Sequence, residues 1–324
     1  MPPVLSQDSL GLCFSYATAT IMNYENCRVQ KTDCTNLKDE NAFSAFDLAR
    51  FGQSVDGAEA EYESSYRGIV EGGPGGHTLE IAALFVGSSA SEACHSLDKI
   101  LQKMGGASGL ADPIQIEAFE RLRKHYEKFK GVKLDCESCV TKFFDGFRKD
   151  MCNQFQIPDD NARLLKIFSE ESVGKFFDRF FYPKECQRAK NRAYFEGQKT
   201  MEIGLFPMKK LKESKSKNYQ ASINKIKEVL KSGHPLMLQN VCLEERTKGK
   251  CPEGKGHAVV VSGYKKMCDG AGKCYDALRV QNSWGQAWQN EFNGGWISAQ
   301  EALDSTNYED EFLVWLQDKK GEGS

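Results

Sequence analysis

Four residues of this chain, Gln7, Cys13, His257 and Asn282, have the types and the chain order needed for acyl transfer through a thiol. Cys13 follows the turn-like Ser9-Leu10-Gly11-Leu12 and opens a helical stretch. A thiol at a helix N-terminus feels the positive end of the macrodipole and unpaired backbone N–H groups, both of which favour thiolate. Gln7 lies upstream on the loop that enters this helix. Its amide is placed to donate to the oxyanion of a tetrahedral intermediate beside the Cys13 N–H. His257 opens a strand in Gly254-Lys255-Gly256-His257-Ala258-Val259-Val260-Val261, with glycines that leave the imidazole facing a cleft. Asn282 follows in Val280-Gln281-Asn282-Ser283-Trp284-Gly285, where its amide oxygen could hold the imidazole tautomer and the Trp284 indole could shield that bond. Taken singly, each residue has a plainer explanation: a packed cysteine, a satisfied core histidine, a turn asparagine. Their joint occurrence carries the reading.

The elements that must position these groups follow from periodicity. Phe14, Ala17, Ile21 and Tyr24 recur at helical spacing and predict a helix over Cys13–Tyr24 with one buried face. Gly72-Gly73-Pro74-Gly75-Gly76 leads into a second helix near Thr78–Phe85. The middle of the chain reads as mostly helical. One helix is capped by Asp112-Pro113 and ended by Gly131, and a Phe-rich stretch from Asn161 to Tyr182 is stopped by Pro183. The Phe176, Phe177 and Phe180 face reads as core, and the lysine-rich run Lys209–Lys217 as a solvated connector. A helix over Ile223–Lys231 ends at Gly233. Short strands then follow at Leu236–Val241, Ala258–Tyr264, Ala277–Gln281 and Phe312–Leu316, which together point to an antiparallel sheet.

With 324 residues the chain can bury a substantial core. A net charge of -2 favours neither nucleic acid nor an anionic membrane as partner, and no apolar run is long enough to span a bilayer. Met1-Pro2-Pro3 runs almost at once into helical sequence, which reads as a piece of a longer precursor. Twelve cysteines are the informative excess. Cys27 with Cys34, Cys242 with Cys251 and Cys268 with Cys274 have the close spacing of disulfide-closed loops, which favours an oxidising compartment. Cys136-Glu-Ser-Cys139, with Cys94, His95, Cys152 and Cys186 elsewhere, could instead bind a metal. A single CxxC without a second favours disulfides, and no metal is expected. If Cys13 stays a thiol, the odd remainder requires one more unpaired or intermolecular cysteine.

Gln7-Asp8-Ser9-Leu10-Gly11-Leu12-Cys13-Phe14 resembles the oxyanion-to-nucleophile segment of the papain-like (cathepsin-like) cysteine peptidases. Gly256-His257-Ala258-Val259 and Asn282-Ser283-Trp284-Gly285-Gln286-Ala287-Trp288 resemble that family's histidine and asparagine segments, and Gly72–Gly76 resembles its glycine turn. The resemblance covers roughly 1–93 and 219–318. It departs at Leu10 and Gly73, where the family carries a disulfide, at Leu12, where it has a small residue, and at Phe14, where it has Trp or Tyr. The spacing from Cys13 to His257 is also roughly a hundred residues longer than the family signature.

What the resemblance implies is an α+β, papain-like two-lobed fold. A helical left lobe would span 1–93, a mainly helical, cysteine-containing insertion 94–218, and an antiparallel β right lobe 219–324. It implies a Cys13 nucleophile, a His257 base, an Asn282 orienter and a Gln7 oxyanion donor. Gly11, Gly75, Gly76, Gly256 and Trp284 would line the substrate site. No cofactor is called for. The partner would be a peptide or protein substrate, and a propeptide or protein inhibitor could occupy the cleft. Acyl transfer to an amine, or a catalytically silent peptide-binding protein, are the alternatives on the same residues. The setting would be extracellular, periplasmic or another oxidising compartment.

Overall fold

The computed structural model describes residues 1–7, 10–52, 68–69, 71–103, 113–133, 136–206, 215–243, 256–268, 270–306 and 312–320. Asp8, Ser9, Asp112, the stretch 209–214, Cys251, Gly254 and Lys255, which entered the sequence reading, lie outside them. Helix α1 (Cys13–Gln30) is the central element. It is longer than expected and buried on all sides over most of its length, not along one stripe. The reason is tertiary. The helix packs on α2 (Gly75–Glu80) and also against strands of the large sheet, so neither side meets water. Its buried hydroxyls are satisfied internally: Thr18 donates to the Phe14 carbonyl and Thr20 to that of Tyr16, each at 2.9 Å.

The middle of the chain is mainly helical among the described residues: α3 (Leu97–Lys103), α4 (Pro113–Phe129), α5 (Glu137–Phe147), α6 (Asn161–Phe168) and α7 (Val173–Phe181). The stretch Asn161–Tyr182, expected as one unit, is two helices. Asp160 caps the first by accepting the Arg163 N–H, and Ser172 caps the second by accepting that of Lys175. Gly131 ends α4 in the left-handed region, at φ +72. Phe176, Phe177 and Phe180 are core, as expected, at 0%, 5% and 0% exposure. They join Phe129, Phe144, Phe147 and Phe168 in an aromatic cluster continuous with the core around α1. Not all of 94–218 is helical. Strand β2 (Arg192–Tyr194) pairs with β1 (Ser88–Ala90), and β3 (Met201–Phe206) joins the large sheet.

That sheet is antiparallel throughout, in the order β3-β8-β4-β5-β6-β7, with β4 (Leu236–Val241), β5 (His257–Cys268), β6 (Cys274–Gln281), β7 (Trp296–Ser298) and β8 (Leu313–Asp318). Helix α8 (Lys215–Lys231) covers one face together with α10 (Ala299–Asp304), which follows the short α9 (Gly285–Glu291). Helix α8 starts at Lys215, within the expected connector, and Gly233 follows it at φ +92. The apolar run after His257 has a simple cause. Ala258 and Val260 face the core around α1, while Val259 and Val261 face the core under α8. The α+β class expected from the sequence is the one observed.

Disulfides join Cys27 to Cys34 and Cys268 to Cys274, as their spacing predicted. Cys94–Cys186, separated by 92 positions, was beyond sequence reasoning, and the CxxC is closed as Cys136–Cys139. Cys242 is disulfide-bonded, with the expected partner Cys251 outside the described residues. The odd remainder resolves as Cys152, a buried thiol that with Cys13 makes up the free cysteines among the described residues. This usage fits maturation under oxidising conditions. No helix among the described residues is long and apolar enough to cross a membrane.

Candidate active site

Cys13 is the first residue of α1 and is partly buried. Leu12 before it has no capping side chain, and the Ser15 N–H of the first turn donates to the Leu12 carbonyl at 3.0 Å. Burial pushes the Cys13 thiol up, opposed by hydrogen bonds from the backbone N–H groups of Ala258, Phe14 and Cys13 itself. The thiolate expected from the helix N-terminus is therefore outweighed by desolvation, because that end of α1 lies inside the molecule. The Ala258 contact brings β5 against the N-terminus of α1, one residue from His257.

His257 starts β5 and is 8% exposed. Its Nε2 lies 2.6 Å from Asn282 Oδ1, which leaves Nδ1 as the nitrogen available to a thiol. Trp284 stacks over the imidazole, with centroids 4.6 Å apart and planes at 25°. Burial lowers the His257 pKa to about 4, against the Asn282 hydrogen bond, which raises it. Among the described residues no hydrogen bond joins the Cys13 sulfur to the ring. Both shifts therefore favour a neutral thiol and a neutral imidazole.

Local backbone explains how the histidine and asparagine are held. The β4–β5 register shifts between Leu238 and Val241, where Asn240 takes φ +58. This bulge turns Asn240 towards Gly256, where a Cβ would lie 2.7 Å from Asn240 Oδ1 and 2.9 Å from its Cα. Only glycine fits before the histidine. On the other side, the Asn282 N–H donates to Gln289 Oε1 at 3.4 Å, and Gln289 Nε2 donates to the Val280 carbonyl at 2.6 Å. Gly295 lets that bracket close. It sits at φ +87, and a Cβ there would collide with Val280 O and Gln289 Nε2.

Gln7 is tied to the asparagine segment. Its N–H donates to the Ser283 carbonyl at 2.8 Å, and Ser283 Oγ donates to Gln7 Oε1 at 2.5 Å. Gln7 Nε2 donates to the Leu10 carbonyl at 2.8 Å. An amide carries two N–H donors, so this bond takes one of them. Gln281 Nε2 donates to the carbonyls of Pro2 and Pro3 at 3.1 and 3.2 Å, pinning the segment that leads into Gln7. Gln281, Ser283, Gln289, Gly295 and Asn240 were not singled out from the sequence. Polar residues next to a motif carry no distinguishing signal until the fold brings their partners near.

The glycines have different surroundings. Gly11 donates its N–H to Glu71 Oε1 at 3.1 Å and accepts the Gly72 N–H at 2.7 Å. Glu71 in turn pairs with Arg123 of α4, so the helical segment reaches the loop before Cys13. Gly75 and Gly76 are buried in the first turn of α2, and the Gly75 N–H donates to Gln239 Oε1 at 2.6 Å. Gly256 is exposed beside His257. Leu10 and Leu12 are buried and line a cavity of about 240 Å³ with Phe46, Phe119, Val173 and Phe177.

No family model and no curated protein matches the sequence. Among solved structures, xylellain, a cysteine protease from Xylella fastidiosa, is similar at 14% identity over 99% of this chain and 85% of that chain, with a TM-score of 0.42. Two structures of SERA5E from Plasmodium falciparum are similar at 13% identity over 98% of this chain and 88% and 89% of those chains, with TM-scores of 0.38 and 0.41. At such scores these are loose likenesses, and nothing about the site follows from them.

Proposed function

We propose that this chain is a papain-like cysteine peptidase that cleaves peptide bonds through a Cys13 acyl-enzyme. The observation that carries the reading is the 2.6 Å His257 Nε2–Asn282 Oδ1 hydrogen bond under the stacked Trp284 ring. It holds one imidazole nitrogen in place and turns the other to acid–base work. In the reaction, His257 takes the Cys13 thiol proton as the sulfur attacks the peptide carbonyl. The oxyanion is met by the Cys13 N–H and the second Gln7 amide hydrogen. His257 then protonates the leaving amine, and the same ring takes a proton from the water that resolves the thioester. Gly11, Gly75, Gly76, Gly256 and Trp284 are proposed to border the substrate, with the Gly75 N–H already bonded to Gln239. The segment between the lobes, proposed as an insertion, would restrict access from the Glu71–Arg123 side. The disulfides support an extracellular, periplasmic or similar oxidising setting.

Cys13→Ala should abolish hydrolysis of a peptide library while leaving the circular dichroism spectrum unchanged. Equal hydrolysis by both proteins would overturn the reading. The buried, uncharged state of Cys13 and His257 favours a second reading, a peptide-binding protein that does not turn over. Turnover separates the two: peptide cleaved by the wild type and not by Cys13→Ala supports the peptidase, and peptide bound by both without cleavage supports the binder. Adding an amine acceptor to the assay and identifying the products tells hydrolysis from acyl transfer.

A further inference from the structure

The helical segment carries a second sulfur chemistry, away from Cys13. Cys136 is the N-cap of the 11-residue helix α5, with extended backbone at φ -128 and ψ 138. Its sulfur accepts the Cys139 N–H at 3.0 Å and lies 3.4 Å from Ser138 Oγ. That sulfur therefore sits on the positive end of a helix with a donor already aimed at it, the surroundings that stabilise a thiolate. Cys139, its disulfide partner, is exposed, and Cys136 is half-buried.

The helix itself does not depend on this bridge. Val140, Phe144 and Phe147 anchor its inner face, and Asn161 Nδ2 donates to Thr141 Oγ1 at 3.0 Å. A bridge of sequence separation 3 also restricts the unfolded chain little. The other described disulfides differ. Cys27 and Cys34 are both buried, and Cys186 is buried within Cys94–Cys186. Cys268–Cys274 is exposed but closes a β-hairpin, and the neighbour of its Cys274 sulfur is the Gly272 carbonyl at 3.7 Å. Of the two exposed bridges, Cys136–Cys139 is the one whose leaving sulfur is stabilised as an anion.

We propose that Cys136–Cys139 is a thiol–disulfide exchange site whose reaction partner is a small or peptide thiol. The partner thiolate attacks the exposed Cys139 sulfur. A bond forms between the two sulfurs, the Cys136–Cys139 bond breaks, and its electron pair leaves on Cys136 as a thiolate held by the Cys139 N–H. A second partner thiolate then attacks the partner's sulfur in the mixed disulfide. The partner departs as its own disulfide and Cys139 as a thiolate. Two partner thiols are oxidised and one bridge is reduced, and excess partner disulfide drives the same steps backwards.

The test uses the full chain carrying Cys13→Ala, so that the nucleophile does not compete for reagent. The protein is equilibrated at pH 7 in glutathione buffers of graded reduced-to-oxidised ratio, quenched with iodoacetamide and mapped by mass spectrometry. Alkylation of Cys136 and Cys139 is expected at ratios that leave Cys268–Cys274 closed, with unchanged circular dichroism. Opening of Cys268–Cys274 at the same or a less reducing ratio overturns the proposal, as does a Cys136–Cys139 bridge that opens only on unfolding. In the same background, the Cys136 thiol of Cys139→Ser should alkylate roughly tenfold faster at pH 7 than the Cys139 thiol of Cys136→Ser. Equal rates would overturn the assignment of Cys136 as the leaving sulfur.

Discussion

At the scale of single residues, His257 is the group whose state decides what the site can do. In the proposed reaction it would take the Cys13 proton only while neutral, and burial places its own protonation at about pH 4. For a peptidase, kcat/KM should therefore hold as pH falls through neutrality and drop as it passes about 4. Burial is the larger cause of that shift, and Trp284 covers the ring. Trp284→Ala should admit water and move the acid limb upward from about 4 towards the ordinary histidine value of 6.5, read from the kcat/KM profile. A limb that stays put would assign the burial to other neighbours. Asn282→Ala removes the 2.6 Å acceptor and frees the ring to rotate. Positioned acid–base catalysis is worth about 10²–10⁴-fold, so the loss in kcat should be on the order of tenfold or more, with a smaller change in KM.

At the scale of elements, the precision of the site rests on two loops that only glycine can close. Gly295→Ala combines left-handed strain with a collision against Val280 O and Gln289 Nε2, the bracket behind Asn282. Strain of this kind costs about 1–3 kcal/mol, so urea unfolding should shift by at least that much. In the helical segment, Phe168 stacks on Phe144 at 5.2 Å and meets Phe147 edge-on at 4.9 Å. Phe168→Ala should cost about 3–5 kcal/mol in the same measurement, because a closed aromatic cluster cannot collapse around the vacancy.

At the scale of the molecule, α1 ties the helical part of the chain to the large sheet. Arg28 on α1 reaches Asp318 of β8 at 2.6 Å, and Glu25 lies 2.9 Å from His234 Nδ1 before β4. The four tryptophans lie at 284, 288, 296 and 315, all in or beside the large sheet, whereas far-ultraviolet dichroism is dominated by the helices. Tryptophan fluorescence and dichroism should therefore trace one coincident urea transition; separated midpoints would show lobes that unfold independently. Stability against pH follows from three buried groups. His95 and His257 are each lowered from 6.5 to about 4, so the stability they contribute is present above pH 6.5 and lost as pH falls to 4. Glu92 is raised from 4.5 to about 8 by burial, so its contribution is present below 4.5 and lost as pH rises to 8. Between 4.5 and 6.5 the two histidines outweigh the one carboxyl; above 6.5 the carboxyl is opposed by the Met1 amine, whose pKa burial lowers from 8.0, so that the amine's contribution still grows with pH there. The thermal midpoint should climb up to pH 6.5, and Glu92→Gln should raise it above that pH by removing the loss the carboxyl causes there.

What the sequence by itself determined is local. Strand β4 was legible with the same bounds, Leu236–Val241, and the cysteine pairs 27–34 and 268–274 were legible because both partners lie within one turn or hairpin. The types and order of Gln7, Cys13, His257 and Asn282 were also on the page, as were the flanking Gly256 and Trp284. Everything that depends on what lies across the chain was left to tertiary structure. Cys94–Cys186 needed a fold to bring its halves together, and α1 is buried all round only because the sheet arrives on its second side. Cys13 shows the division most directly. Its place at a helix start argued for a thiolate, and that argument was sound for an exposed helix end. Desolvation by the elements packed around it reverses it, because the cost of burying a charge depends on neighbours that no local pattern contains.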